Sequence, residues 1–161
     1  MKLLYGHAEE VAAWVGWRIP LTAKRLERNR TLNPFGLCQA IGVLDRNNVL
    51  IAGVVYHNWD PDCQSIELSF AADTPKWLHP SLIRDLMGYV YDTLGCNRAM
   101  AVVEMTNAPS RTFVERFGFR REGVATDGFG PGKNAVIYRL LKREWQQTRW
   151  ARASLRTSIA A

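Results

Sequence analysis

Two isolated carboxylates and one histidine are the side chains of this sequence best suited to moving a proton. Glu67 stands in an alternating apolar segment, on the face opposite Ile66 and Leu68, and Glu104 follows two valines near the end of another apolar segment. His57 closes a third apolar run, and imidazole is the side chain most easily poised to titrate near neutral pH. Each group has the chemistry of a general base. Each is also compatible with an ordinary strand position, and the sequence leaves the choice among the three open.

A second signal is the segment NAPSRTFVERFGFRREG, from Asn107 to Gly123. Its polar first residue ends an apolar run, and Pro109 suits a first helical turn because its missing N–H would be unpaired there anyway. Phe113 and Phe117 recur at helical spacing and predict a buried stripe. Gly118 can end the helix in a left-handed conformation. The segment therefore predicts a short helix, a tight turn and a strand.

This segment resembles the last motif of the GNAT superfamily of N-acetyltransferases. The family pattern is an Asn after the fifth strand, a helix, a Gly-Phe pair and a strand ending near Glu-Gly. Asn107, Gly118, Phe119, Glu122 and Gly123 stand at those positions. The resemblance implies transfer of an acyl group from a coenzyme A thioester to an amine.

The elements that must position these residues also follow the order of that superfamily. Apolar spacing predicts a strand, two helices, a meander of three strands, a helix, a strand, the helix described above and two final strands. The fold class is therefore α/β, with a GNAT-like mixed central sheet of about seven strands flanked by helices in a single domain. We assign residues 1–145 to this acyltransferase domain and residues 146–161 to a basic C-terminal tail.

The resemblance also implies acetyl-CoA as the acyl donor. In the superfamily the pantetheine arm lies in a gap between the fourth and fifth strands, where it pairs with the fourth like an added strand. The pyrophosphate sits at the N-terminus of the next helix, which we expect Ser81 to cap. The residues that this arrangement assigns to the cofactor are Phe70, Ala71, Ala72, Lys76, Ser81, Leu82, Asn107 and Phe113.

Two positions depart from the family pattern. The loop from Asp73 to Leu82 contains no glycine, although glycine lets a backbone approach a phosphate closely, and Pro80 has no N–H to donate. Val114 stands where many members carry the Tyr that protonates the leaving thiolate. Tyr138, on the last strand, is the alternative candidate for that general acid. The departures leave open a member that binds coenzyme A differently or has lost it.

Composition narrows the class of protein and its partners. The 161 residues carry a formal net charge of +6, which favours anionic partners such as coenzyme A or nucleic acid. The cysteines, Cys38, Cys63 and Cys96, have neither the number nor the spacing of a disulfide framework or a zinc motif. Glu9 and Glu10 interrupt the N-terminal segment, so no signal peptide is predicted. No apolar run reaches the roughly 18 residues of a membrane span, and we expect a cytoplasmic protein without a membrane partner.

The predicted function is an N-acetyltransferase that moves an acetyl group from acetyl-CoA to a small-molecule or protein amine, with a homodimer as a compatible assembly. Trp59 and the Gly-rich loop 127–134 are expected beside the acceptor. Two alternatives stay open. One is a phage-type GNAT-like enzyme that modifies DNA bases, consistent with the basic, Trp-rich composition, and the other is a non-catalytic binding module of the same fold. Weak, salt-sensitive binding to nucleic acid is expected from the charge alone.

Overall fold

The fold is taken from a computed structural model of the chain, which describes residues 1–29 and 33–152. Within those residues one sheet of seven strands has the order β1-β2-β3-β4-β5-β7-β6. Its strands are β1 (Lys2–Leu4), β2 (Cys38–Leu44), β3 (Leu50–Asp60), β4 (Ser65–Ala72), β5 (Arg98–Glu104), β6 (Arg120–Ala125) and β7 (Ala135–Leu141). All neighbours are antiparallel except β4 and β5, which run parallel. The mixed sheet in a single layered unit confirms the predicted fold class.

Four of the five described helices occupy the predicted places in the chain, and the short last helix was not predicted. The helices are α1 (Ala8–Arg18), α2 (Pro20–Asn29), α3 (Pro80–Gly88), α4 (Ala108–Phe117) and α5 (Lys142–Trp145). A short 3₁₀ turn (Pro75–Trp77) precedes α3, and a π-helical turn (Tyr89–Thr93) extends it. None of the described helices combines the length and the apolar character that crossing a bilayer requires.

The ends of α4 follow the sequence prediction, whereas the start of α3 does not. Asn107 Oδ1 accepts a hydrogen bond from the Ser110 amide at 3.2 Å and so caps α4, and Gly118 ends it with a φ of 126°. The N-cap of α3 is His79 rather than Ser81. Pro80 takes the first helical position because its fixed φ suits that place, which puts Ser81 inside the helix.

Alternation along β3 divides the apolar residues between two layers. Val54 and Tyr56 belong to the larger core, which also contains residues of α3 and α4. Val55 belongs to a smaller cluster together with Val11 and Val15 of α1. Helix α1 therefore covers one face of the sheet, and α3 and α4 cover the other.

The chain after α5 packs onto the domain as far as the structure describes it. Trp150 is buried, and its indole N–H donates to the carbonyl oxygen of Phe117 at 3.0 Å. A buried indole contributes a large apolar area together with this hydrogen bond. Residues 146–152 of the predicted basic tail are thus tied to the end of α4, while residues 153–161 lie outside the described residues. The domain boundary after residue 145 stays a prediction.

Candidate active site

Strands β4 and β5 pair only over their first residues. The pairing runs from Ser65 and Arg98 to Glu67 and Met100, although β4 continues to Ala72 and β5 continues to Glu104. Beyond Glu67 the two strands diverge and leave a gap in the sheet. Because β4 bonds to β3 on one edge only, alternate backbone groups of residues 68–72 on its other edge point into this gap. An extended molecule can pair with β4 there as an added strand does.

A cleft of about 890 Å³ runs through the gap. This volume lies within the range that small-molecule sites usually have. Phe35, His57 and Ser69 line the cleft on the side of α1, whereas Phe70 and Asn107 line it on the side of α3 and α4. Because both faces of the sheet contribute to a single cleft, two molecules can approach the gap from opposite sides.

On the α1 side, a histidine, a serine and a carboxylate lie together. The Nε2 atom of His57 is 2.9 Å from Ser69 Oγ, and Glu67 is the residue directly opposite His57 in the pairing of β3 with β4. The side-chain amide of Asn58 donates to Glu67 Oε2 at 2.9 Å. Asn58 has a φ of 50° and lies where the register of β3 shifts, and such bulges redirect side chains.

Burial governs the charge of this histidine. His57 is 8% exposed, and burial lowers its pKa, while the negative charge of Glu67 opposes that shift. The imidazole is therefore neutral at neutral pH, which is the form able to accept a proton. Its ring also lies against that of Phe35, with 5.2 Å between the centroids.

Glu104 reaches the cleft, but Tyr138 does not. Glu104 is a lining residue, and its Oε1 accepts a hydrogen bond from Thr106 Oγ1 at 3.1 Å. Tyr138 belongs to the larger core, and its hydroxyl donates to Glu115 Oε1 at 2.8 Å. Burial, together with this contact, raises the pKa of Tyr138 to about 12. The structure thus brings three of the four predicted acid–base residues, Glu67, Glu104 and His57, to one cleft.

Five of the eight predicted cofactor residues line the cleft, and three do not. Those that line the cleft are Phe70, Ala71, Ala72, Asn107 and Phe113. Lys76, Ser81 and Leu82 are not among the described lining residues, although their neighbours Trp77 and Leu78 are. The three residues that do not line the cleft belong to the loop before α3 and to the start of that helix, next to one end of the cleft.

The glycine-free loop is built around a buried tryptophan. Thr74 caps the 3₁₀ turn, with its hydroxyl accepting from the Lys76 amide at 3.3 Å. Trp77 is 1% exposed, and its ring lies 6.2 Å from that of Phe113 on α4. The amides of Ser81 and Leu82, at the start of α3, have no acceptor in the described part of the chain. Free amides at a helix N-terminus are groups that bind anions.

Other lining residues were not identified from the sequence. Arg18 and Arg25 come from the corner between α1 and α2, and Phe35 comes from the segment before β2. A break at Pro20 between two helices is the signal that marks this corner. Trp59, which was expected beside the acceptor, is 51% exposed and is not a lining residue. The expected Gly-rich loop does reach the cleft, through residues 128 and 129.

Sequence comparison gives one substantial match. No protein-family model matches the chain. Over 74 residues the chain is 41% identical to a Bacillus subtilis protein described as "Putative ribosomal N-acetyltransferase YdaF". That match covers 44% of this chain and 40% of the relative, so the chain spans about two fifths of the relative's length.

Comparison with solved structures gives matches over most of the chain. A structure described as "Probable acetyltransferase" is 27% identical with a TM-score of 0.58, and the match covers 80% of this chain and 72% of that one. Mutant forms of the spermidine/spermine N-acetyltransferase SpeG from Vibrio cholerae are 16% identical with a TM-score of 0.66, over 89% of this chain and 96% of that one. At 16% identity the similarity to SpeG shows the fold alone.

The order of elements, the gap between two parallel strands and the motif that starts at Asn107 agree with these matches. The chain therefore has the fold of the GNAT acetyltransferases, and over part of its length its sequence is similar to that of an N-acetyltransferase.

Proposed function

We propose that this protein transfers an acetyl group from acetyl-CoA to an amine. The observation that carries the proposal is the cleft that crosses the sheet where β4 and β5 diverge. One side of it leads to free helix amides, and the other holds a histidine and a carboxylate. An acyl donor and an amine can therefore meet in the gap after entering from opposite faces.

The residues on the α3 side suit coenzyme A. The backbone of residues 68–72 offers an unpaired strand edge to a pantetheine arm. The amides of Ser81 and Leu82 offer two N–H donors to a pyrophosphate, and Lys76 adds a positive charge close by. Pro80 removes one donor without closing the site, since the next two amides remain. Bound acetyl-CoA supplies an activated thioester carbonyl.

The residues on the α1 side suit an amine. An amine attacks only in its neutral form, so a group in the cleft must take a proton from it. His57, Glu67 and Glu104 are the described candidates. Val114 also lines the cleft and has no proton to give, so the leaving thiolate takes its proton from solvent or another donor. The comparisons reported above give no support to DNA-base modification or to a non-catalytic module.

Calorimetry tests whether the α3 side of the cleft binds acetyl-CoA, and a thiol-release assay tests whether the α1 side accepts an amine. Acetyl-CoA should bind and, at about 100 times its Kd, stabilise the native state by roughly 2.7 kcal/mol. Amines of graded structure, such as a polyamine, a lysine side chain and a peptide N-terminus, should then release the free thiol in proportion to N-acetyl product. A folded protein that neither binds millimolar acetyl-CoA nor melts at a higher temperature in its presence would overturn the proposal.

A further inference from the structure

Ser69 and His57 are in hydrogen-bonding contact at the gap, and Glu67 lies opposite His57 in the strand pairing. Ser69 lies just beyond Glu67, the last residue of β4 that pairs with β5, so its hydroxyl belongs to the opened part of the strand. His57 Nε2 lies 2.9 Å behind that hydroxyl. Glu67 stands across the strand pair from His57, at the separation of directly opposed side chains, about 4.5–5.5 Å between Cβ atoms. All three line the cleft.

We propose that Ser69 and His57 act as a proton relay for the acceptor amine, with Glu67 stabilising the charged imidazole. The proposal rests on the proposed acetyl transfer. Ser69 contacts the amine and is the catalytic residue, whereas His57 acts through Ser69 and positions its hydroxyl. With the imidazole proton on Nδ1, the Nε2 atom accepts the hydrogen bond from Ser69 Oγ.

The relay accounts for every proton in the reaction. The acceptor arrives as an ammonium ion and must lose two protons to become an amide. One N–H proton passes to Ser69 Oγ while the hydroxyl proton passes to His57 Nε2, and the imidazolium later releases it to solvent. The N–C bond forms, the C–S bond breaks, and the thiolate takes the second proton. The ammonium ion and the thioester thus yield an amide, a thiol and one free proton.

The surroundings of His57 favour this role over direct proton abstraction by Glu67. Glu67 already accepts a hydrogen bond from the side-chain amide of Asn58, which occupies one oxygen of its carboxylate. On the other side, Cys38 of β2 stands opposite His57, and burial raises the pKa of that thiol, so it stays neutral. Arg18 and Arg25, from the corner between α1 and α2, are cations that also line the cleft. Glu67 is therefore the negative charge nearest to the ring in the strand pairing.

Kinetics as a function of pH test the relay. His57→Gln and Ser69→Ala should each lower kcat about 10²–10⁴-fold, the usual contribution of acid–base catalysis. The KM for acetyl-CoA should stay unchanged, because neither residue lies on the α3 side of the cleft. The acid limb of the kcat profile should disappear in His57→Gln. Glu67→Gln should keep the limb but move it to lower pH, since loss of the negative charge makes the imidazole harder to protonate.

Control variants and thermal melts distinguish failure of the relay from misfolding of a variant and from failure of the proposed function. Ser65→Ala, on the same face of β4, and His7→Gln, an exposed histidine before α1, should keep the wild-type profile. Thermal melts with acetyl-CoA identify any variant that is not folded, and Ser69→Ala, a small change, keeps the test available if His57→Gln unfolds. If the wild type acetylates no amine, the proposed function fails. If the wild type is active and both His57→Gln and Ser69→Ala keep its acid limb and rate, the relay is wrong. Loss of the acid limb in Glu104→Gln would then assign the base to Glu104.

Discussion

Replacing Trp77 by Ala tests whether the glycine-free loop is a rigid part of the cofactor site. Trp77 is 1% exposed and packs against Phe113 of α4, so it joins the loop before α3 to the helix on the other side of the cleft. A buried indole removes about 150–250 Å² from water. At roughly 25 cal/mol per Å² this area corresponds to about 4–6 kcal/mol, close to the roughly 3–5 kcal/mol usually lost on truncating a buried Trp.

Urea titration followed by circular dichroism measures this loss. We expect Trp77→Ala to lower the free energy of unfolding by about 3–5 kcal/mol with an unchanged m-value, and Trp77→Phe to lower it less. Trp17→Ala is the matched control because that side chain is 53% exposed, and its loss should stay within about 0.5 kcal/mol.

The loop also positions the free amides of Ser81 and Leu82. Under conditions where Trp77→Ala is still folded, its Kd for acetyl-CoA should therefore rise, while Trp17→Ala should bind like the wild type. A loss of stability below about 1.5 kcal/mol would contradict the packing argument. A folded Trp77→Ala with wild-type affinity would show that this loop does not hold the cofactor.

Two further predictions concern the cap of α4 and the acid stability of the fold. Asn107→Ala should lower the free energy of unfolding by about 1 kcal/mol because it removes the cap to the Ser110 amide. Asn107→Ser keeps a capping oxygen and should lower it clearly less in the same urea titration. Equal losses in the two variants would show that the cap is not the cause. The hydrogen bond from Arg18 holds the pKa of Asp73 below its usual value, so this contribution to stability is present above the unfolded-state pKa of about 3.9 and is lost as pH falls through the lower native value. Asp73→Asn should therefore be less stable than the wild type near neutral pH and lose less stability on acidification. Parallel plots of unfolding free energy against pH for the variant and the wild type would refute this.

The sequence by itself determined the order of the elements and the limits of the best-marked ones. Apolar periodicity is a local property, so it predicted the meander, the helix and strand that follow it, and α4. Asn107 and Gly118 predicted the two ends of α4 because a cap and a left-handed turn depend on residue type. The same local rules favoured Ser81 as a cap, and Pro80 overrode that preference one residue earlier.

The tertiary structure alone decided which candidate side chains meet. His57 and Glu67 lie on different strands, and only the register of β3 with β4 places them opposite each other. Tyr138 was a candidate acid by residue type, but alternation along β7 turned it into the core toward Glu115. The corner between α1 and α2 reached the cleft because α1 packs across β3. Local sequence sets residue type and strand phase, whereas distances between strands depend on register and packing, which no single segment encodes.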